Sequence, residues 1–143
     1  KISRNYKRMS TTSVTVLTNQ NSLTYSGDKI KADGYYGHTD GVHTVSATVT
    51  NFQGRIHLEG SLATEPTASD WFPIYLTSGN SFRQYPVTST PSGTNSLGDT
   101  TTEAWTFRAN ILWIRARVDR DYLSAGSYDV ALHGTVDKIL LNL

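Results

Sequence analysis

A chain of 143 residues, 37% of them hydrophobic, is one domain's worth of sequence, long enough to bury about two-thirds of its unfolded surface in a single core. A formal net charge of +1 is too mild for a nucleic-acid or acidic-membrane binder, which normally carries a clustered basic stripe. The absence of cysteine removes disulfides, thiolate zinc ligands and thiol nucleophiles together, and no apolar run reaches the roughly 18 residues of a membrane-spanning helix.

In chain order, residues 1–12 carry Lys1, Arg4, Lys7 and Arg8 and read as an exposed N-terminal arm. Beyond it, β-branched and aromatic residues recur in short runs among abundant Ser and Thr, so strands and turns are expected through residues 13–143. Strands are predicted at residues 13–17, 29–36, 43–52, 55–63, 72–76, 82–87, 103–107, 111–119, 128–136 and 138–143. Turn signals separate most of them: Ser26-Gly27-Asp28, the stretch from Gly37 to Gly41, Gln53-Gly54, and residues 77–80 and 124–127. Short strands at this spacing, with no convincing helix, predict an all-β domain, an antiparallel sandwich or a barrel. Residues 88–102 lack periodicity, are rich in Ser, Thr, Gly and Pro, and are expected to form a long surface loop.

Three strands carry clear two-residue periods. Along residues 43–52, Val45, Ala47 and Val49 alternate with Thr44, Ser46, Thr48 and Thr50, giving an apolar and a hydroxyl face. Along residues 55–63, Ile56, Leu58 and Leu62 are assigned to the core, and Arg55, His57, Glu59 and Ser61 to the opposite face. Along residues 111–119, Leu112, Ile114, Ala116 and Val118 form the core set, leaving Ile111, Trp113, Arg115 and Arg117 on the other side. An aromatic and two guanidinium groups in a row roughly 7 Å apart suit a protein partner, a carboxylate or a sugar ring. The alternative is that a neighbouring segment covers Trp113 and that the arginines pair with local acids such as Asp119 and Asp121. With eight Tyr, four Phe and three Trp, at least some aromatics are expected at the surface, candidates being Tyr35-Tyr36 and Tyr85, where adjacent residues must point to opposite faces; exposed Tyr and Trp stack on sugars or anchor an interface. Adjacent Leu140 and Leu141 imply two buried faces, one covered by a loop or a neighbouring subunit.

A search for chemistry yields little. His38 and His43 flank Asp40, a set that a turn could bring onto one divalent ion, but the spacing matches no strong metal motif and the surrounding glycines account for it as a turn. His57 and His133 fall on outward strand faces. No G-x-S-x-G elbow, P-loop, dinucleotide fingerprint or EF-hand loop is present. Glu59, Glu65, Asp70 and Glu103 are the carboxylates available for glycoside hydrolysis, yet Glu59 lies on an outward face and Asp70 in a turn that it would cap. The expectation is a protein that is not an enzyme, with no metal and no cofactor.

Several segments together resemble small β-sandwich structural proteins of tailed-bacteriophage virions, of the marine, cyanophage-like and T4-like kinds. They are Gly34-Tyr35-Tyr36-Gly37 with Thr39-Asp40-Gly41-Val42-His43-Thr44-Val45, then Gly54-Arg55-Ile56 through Glu59-Gly60-Ser61-Leu62, Asp70-Trp71-Phe72, and Leu112-Trp113-Ile114-Arg115-Ala116. The strand, Glu-Gly-Ser-Leu, turn and Asp-Trp-Phe pattern also resembles galactose-binding-like jelly rolls and carbohydrate-binding modules. The resemblance implies a single sandwich of jelly-roll type, about 8–10 strands, in a virion component such as a capsid decoration, neck, tail or fibre-associated protein. It implies assembly with other virion proteins and as a homo-oligomer, a trimer by preference, without a membrane or specific nucleic-acid partner. The second expectation is a carbohydrate-binding module or adhesin contacting host glycans. The candidate contact residues are Trp113, Arg115, Arg117, Arg55, His57, Glu59, Tyr35 and Tyr36.

Overall fold

The computed structural model describes residues 13–37, 40–76, 79–87, 98–120 and 134–142. These residues are all-β, with every strand pairing antiparallel and one short 3-10 turn at Ala68–Asp70. In chain order the strands are β1 (Val14–Gln20), β2 (Thr24–Ser26), β3 (Ile30–Lys31), β4 (Val42–Phe52), β5 (Gly54–Ser61), β6 (Phe72–Ile74), β7 (Arg83–Tyr85), β8 (Asp99–Arg108), β9 (Trp113–Asp119) and β10 (Thr135–Asn142). One sheet has the order β1-β10-β4-β8; the other runs β2-β9-β5-β6, with β3 also on β9 and β7 also on β5. No helix among the described residues is long and apolar enough to cross a membrane.

The two-residue period of each long strand decides which face is covered. Val45, Ala47 and Val49 of β4, Ile56 and Leu58 of β5, and Ile114, Ala116 and Val118 of β9 are all buried, as their alternation predicts. They join Ile139 and Leu141 of β10, Val16 and Leu17 of β1, and Phe52 and Tyr85 in one hydrophobic cluster fed by both sheets. On the first sheet's outer face the predicted hydroxyl row is present, with Thr44 bonded to Thr106 at 2.9 Å and Thr48 to Thr102 at 3.0 Å.

Several expectations are corrected. The strand at residues 29–36 shrinks to Ile30–Lys31. After it the chain turns, Tyr35 N–H donating to Ala32 O at 3.0 Å and Tyr36 N–H to Asp33 O at 3.1 Å. Gly34 explains the turn: its N–H donates to Ile111 O at 2.9 Å, and a Cβ there would lie 2.5 Å from that same oxygen. Leu62, assigned to the core, is 62% exposed because β5 ends at Ser61. Ile111 and Leu112 exchange roles, Ile111 being buried just ahead of β9 and Leu112 half-buried. Residues 99–102, expected in the long loop, begin β8; the rest of that loop up to residue 97 lies outside the described residues, as do the arm at residues 1–12 and residues 121–133. β2 was not expected from the sequence.

The adjacent leucines at the end of the chain have a local account. A register shift between Val136 and Lys138 puts Val136, Ile139 and Leu141 on the core side. Leu140 falls on the outer face, half-buried, opposite Ser46 on one side and Thr15 on the other.

One fully buried side chain ties distant segments together. Arg120, just past β9, donates from Nε to Gln53 O at 3.2 Å, from Nη2 to Gly134 O at 2.9 Å and from Nη1 to Ser22 O. Its guanidinium also lies 4.7 Å from the centre of the Phe52 ring. The fork thereby joins the β1–β2 connection, the β4–β5 turn and the start of β10, satisfying carbonyls that burial would otherwise leave costly. Gly134 approaches so closely, at φ +67, that a Cβ would collide with the Asn51 carbonyl.

Candidate functional site

The register of β5 and β9 brings the two predicted contact rows onto one face. Arg55 lies opposite Asp119, His57 opposite Arg117, Glu59 opposite Arg115 and Ser61 opposite Trp113. Because both strands send their even residues into the core, these odd residues share the outer side of the second sheet. Six of the eight candidates therefore form one cross-strand ladder. The remaining two join at its end, with Tyr35 5.0 Å from Trp113 and Tyr36 5.7 Å from Tyr35, ring centre to ring centre.

Within the ladder the charges are paired by the chain itself. Glu59 accepts from Arg115 Nε at 2.8 Å and from Arg117 Nε at 3.2 Å, while Arg117 Nη1 lies 3.9 Å from Asp119 Oδ2. Among the described residues Glu59, on the adjacent strand, is thus the main acceptor, with the sequence-local Asp119 nearby and Asp121 outside the described residues. Arg55 Nε donates to Gln84 Oε1 at 2.8 Å. Two aromatic rings lid the row: Trp71 lies 4.4 Å from the Arg115 guanidinium, and Phe82 lies 4.4 Å from that of Arg55 and 5.6 Å from the His57 ring. The carboxylate that an arginine row invites is already supplied from within.

His57 is more covered than Glu59, Arg115, Arg117 or Asp119, its side chain 12% exposed. Its Nε2 is buried without a hydrogen-bond partner among the described residues and lies 4.0 Å from Asp119 Oδ2. Burial first, and the Arg117 charge second, push its pKa below the usual histidine value, against the opposing pull of Asp119 and Glu59.

Trp113 is a covered residue. Only 9% of it is exposed, its Nε1 donates to Thr64 O at 3.3 Å, and Lys29 Nζ lies 4.5 Å from its ring. The aromatics exposed beside it are Tyr35 at 46% and Tyr36 at 44%, with Lys31 Nζ 4.7 Å from the Tyr35 ring. The 3-10 turn that delivers Trp71 is closed by Asp70, whose carboxylate accepts from Thr67 N–H at 2.7 Å and Thr67 Oγ1 at 3.0 Å. Asp70 is therefore a turn-capping residue, as its position predicted.

The other sequence candidates fall elsewhere. His43 is buried, stacked on Phe107 at 5.1 Å, with Nδ1–H donating to Gly41 O at 2.8 Å and Nε2 accepting from Asp33 N–H at 3.2 Å. His38 and His133 lie outside the described residues. Among the described residues no cluster of His, Asp and Glu has the geometry of a metal site.

Glu103 lies apart from the ladder and bridges the two sheets. It receives both Arg83 Nε at 2.8 Å and Nη2 at 2.7 Å, and the Tyr85 hydroxyl at 2.6 Å. The Arg83 bond, foremost, holds the Glu103 pKa below the usual range, and burial pushes the Tyr85 phenol up. Stability should consequently fall in two stages on acidification. His57 binds its proton less readily folded than unfolded, so its contribution is complete above the reference value of 6.5 and is lost as pH falls below it. Glu103 stays ionised to lower pH folded than unfolded, so its contribution is lost as pH falls below the reference value of 4.5. Urea titrations from pH 8 to pH 3 should show both steps, and Glu103→Gln should flatten the lower one; a stability that rises on acidification contradicts both assignments.

Sequence reasoning offered Trp71 only as a stacking residue for a sugar and missed its place over Arg115, and it missed Phe82 and Gln84 as partners of the ladder and Arg83 and Tyr85 as partners of Glu103. The alternation of Arg83 and Tyr85 was visible, but nothing local to either strand couples it to Glu103. No family model, no curated protein and no solved structure matches the chain.

Proposed function

We propose that this chain is a non-enzymatic structural component of a tailed-phage virion, acting through protein–protein assembly in a capsid-decoration, neck, tail or fibre-associated position. The observation that carries the reading is the strand order. The chain alternates between sheets, with β1, β4, β8 and β10 in one and β2–β3, β5–β7 and β9 in the other. Taking β2 with β3, and β6 with β7, as interrupted single strands leaves four positions per sheet, an order that supports reading the domain as a jelly roll. That architecture recurs in viral capsid domains and in lectins, so it supports assembly by analogy of fold. The pairing of the β5–β9 ladder within the chain also favours a surface that packs against others over one that awaits a charged substrate.

Immunogold labelling of particles of the phage that encodes the chain tests this reading. Gold confined to one part of the particle is the expected result. No label on intact or opened particles overturns it.

A second reading, a carbohydrate-binding module, is favoured by one observation: the exposed Tyr35–Tyr36 pair, whose rings meet edge to face. A fluorescence response to one member of a glycan panel, abolished by Tyr35→Ala with Tyr36→Ala, would establish it. Silence across the panel would remove it.

A further inference from the structure

We propose that β8 is a dimerisation edge, pairing antiparallel with β8 of a second copy about a twofold axis at Ala104, so that the two first sheets become one continuous sheet. The inference rests on the reading of the chain as an assembly protein and replaces the threefold implied by resemblance with a twofold.

An unpaired strand at a sheet edge is an open template for another strand, and folded proteins normally blunt it with short length, proline, bulges or lysine. The other edges here are blunted. β2, β6 and β7 are each 3 residues long, with Pro73 inside β6 and Pro86 directly after β7. β1 carries a register shift between Thr15 and Leu17 and a left-handed residue, Asn19, at φ 47. β8 is the least blunted edge, its one register shift against β4 lying at its start, between the Thr101 and Asp99 pairings. It spans 10 residues with no Pro, Gly or Lys, its ladder with β4 is regular from Arg108 to Thr101, and among the described residues it pairs on one side only.

The phase of that ladder shows what the free edge offers. Ala109 N–H donates to Gly41 O at 2.9 Å, which makes the odd residues of β8 the ones bonded to β4. The backbone N–H and C=O groups of Thr100, Thr102, Ala104, Thr106 and Arg108 therefore point to the open side.

Self-pairing about a twofold perpendicular to the sheet requires like faces to meet, so the axis falls on a residue. At Glu103 it would set two carboxylates opposite each other. At Ala104 the smallest side chain of the strand meets its own copy, Thr102 faces Thr106 of the second copy, and Thr100 faces Arg108, giving threonine pairs of the kind β4 and β8 already make. This register uses the strand from Thr100 to Arg108, pairing every outward backbone group within it. On the inner side Trp105 and Phe107, packed on the core yet half-exposed, would be set beside Glu103 and Thr101 of the second copy. Self-complementarity of this kind is what an isologous interface needs, and it makes a second copy the occupant.

The test is the solution mass of the purified chain by light scattering coupled to gel filtration, with a thermal melt of each variant to confirm folding. The expected mass is that of two chains. Ala104→Pro removes an N–H that the subunit does not use internally, and should give a folded monomer. Thr102→Lys with Thr106→Lys should also give a monomer, because like charges then meet across the axis. Thr102→Lys with Thr106→Glu should restore the dimer. Should the proline variant not fold, the charge pair decides. A wild-type monomer, a trimer, an oligomer indifferent to these changes, or one broken by the lysine pair but not restored by the charge swap overturns the proposal. A monomer that still labels phage particles overturns only the edge contact, whereas a dimer absent from particles overturns only the virion reading.

Discussion

Arg120→Ala should lower the stability of this protein by about 1.5–3 kcal/mol, the range for losing hydrogen bonds made to a charged group. The side chain is 0% exposed, and its loss leaves the buried Gln53 carbonyl without this donor and releases the part-buried carbonyls of Ser22 and Gly134. For a domain of this size that amounts to a fall in Tm on the order of 10 °C. Arg120→Lys should recover only part of it, because a single ammonium cannot address carbonyls that diverge as the guanidinium fork does. Urea unfolding of both variants measures the effect. A loss below about 1 kcal/mol, the ordinary range for a surface substitution, would show that Arg120 does not hold these segments together.

Trp113→Ala is expected to cost about 3–5 kcal/mol, the range for deleting a large buried aromatic. The sequence left two outcomes open for this residue, loss of fold stability or loss of assembly from a folded subunit. With 9% of the residue exposed and Nε1 engaged by Thr64 O, the structure favours the first. Melting curves should shift downward while the oligomeric state of the remaining folded protein is unchanged on gel filtration. An unshifted melt with lost oligomer would identify Trp113 as an interface anchor.

What the sequence revealed was whatever a single strand encodes. The alternation in β4, β5 and β9 identified Val45, Ala47, Val49, Ile56, Leu58, Ile114, Ala116 and Val118 as core before any strand was paired. Alternation says nothing about which strand lies beside which, so the alternative that the arginines pair with local acids reached Asp119, which Arg117 does approach, but not Glu59, the acceptor of both arginines and more than fifty residues earlier in the chain. The same limit hid the Arg83–Glu103–Tyr85 cluster and the meeting of three loops at Arg120, where each contact depends on tertiary placement. Leu62 and Ile111 misled for a different reason. The period is read through to the end of a run of residues, whereas β5 stops at Ser61 and β9 starts at Trp113, so neighbours just outside the strands obey local turns. Of the aromatics expected to contribute to the surface, Tyr35 and Tyr36 are both exposed, from a turn set by Gly34 and not by pointing to opposite faces of a strand, whereas Tyr85 is fully buried.

The most direct test of the proposed virion role is quantitative mass spectrometry of density-banded tailed-phage particles prepared from a lysate in which this chain is expressed. The account predicts its peptides in the particle band at a fixed copy number comparable to other structural proteins. Recovery of the chain only from the unbanded soluble fraction, with none in the particles, would contradict it.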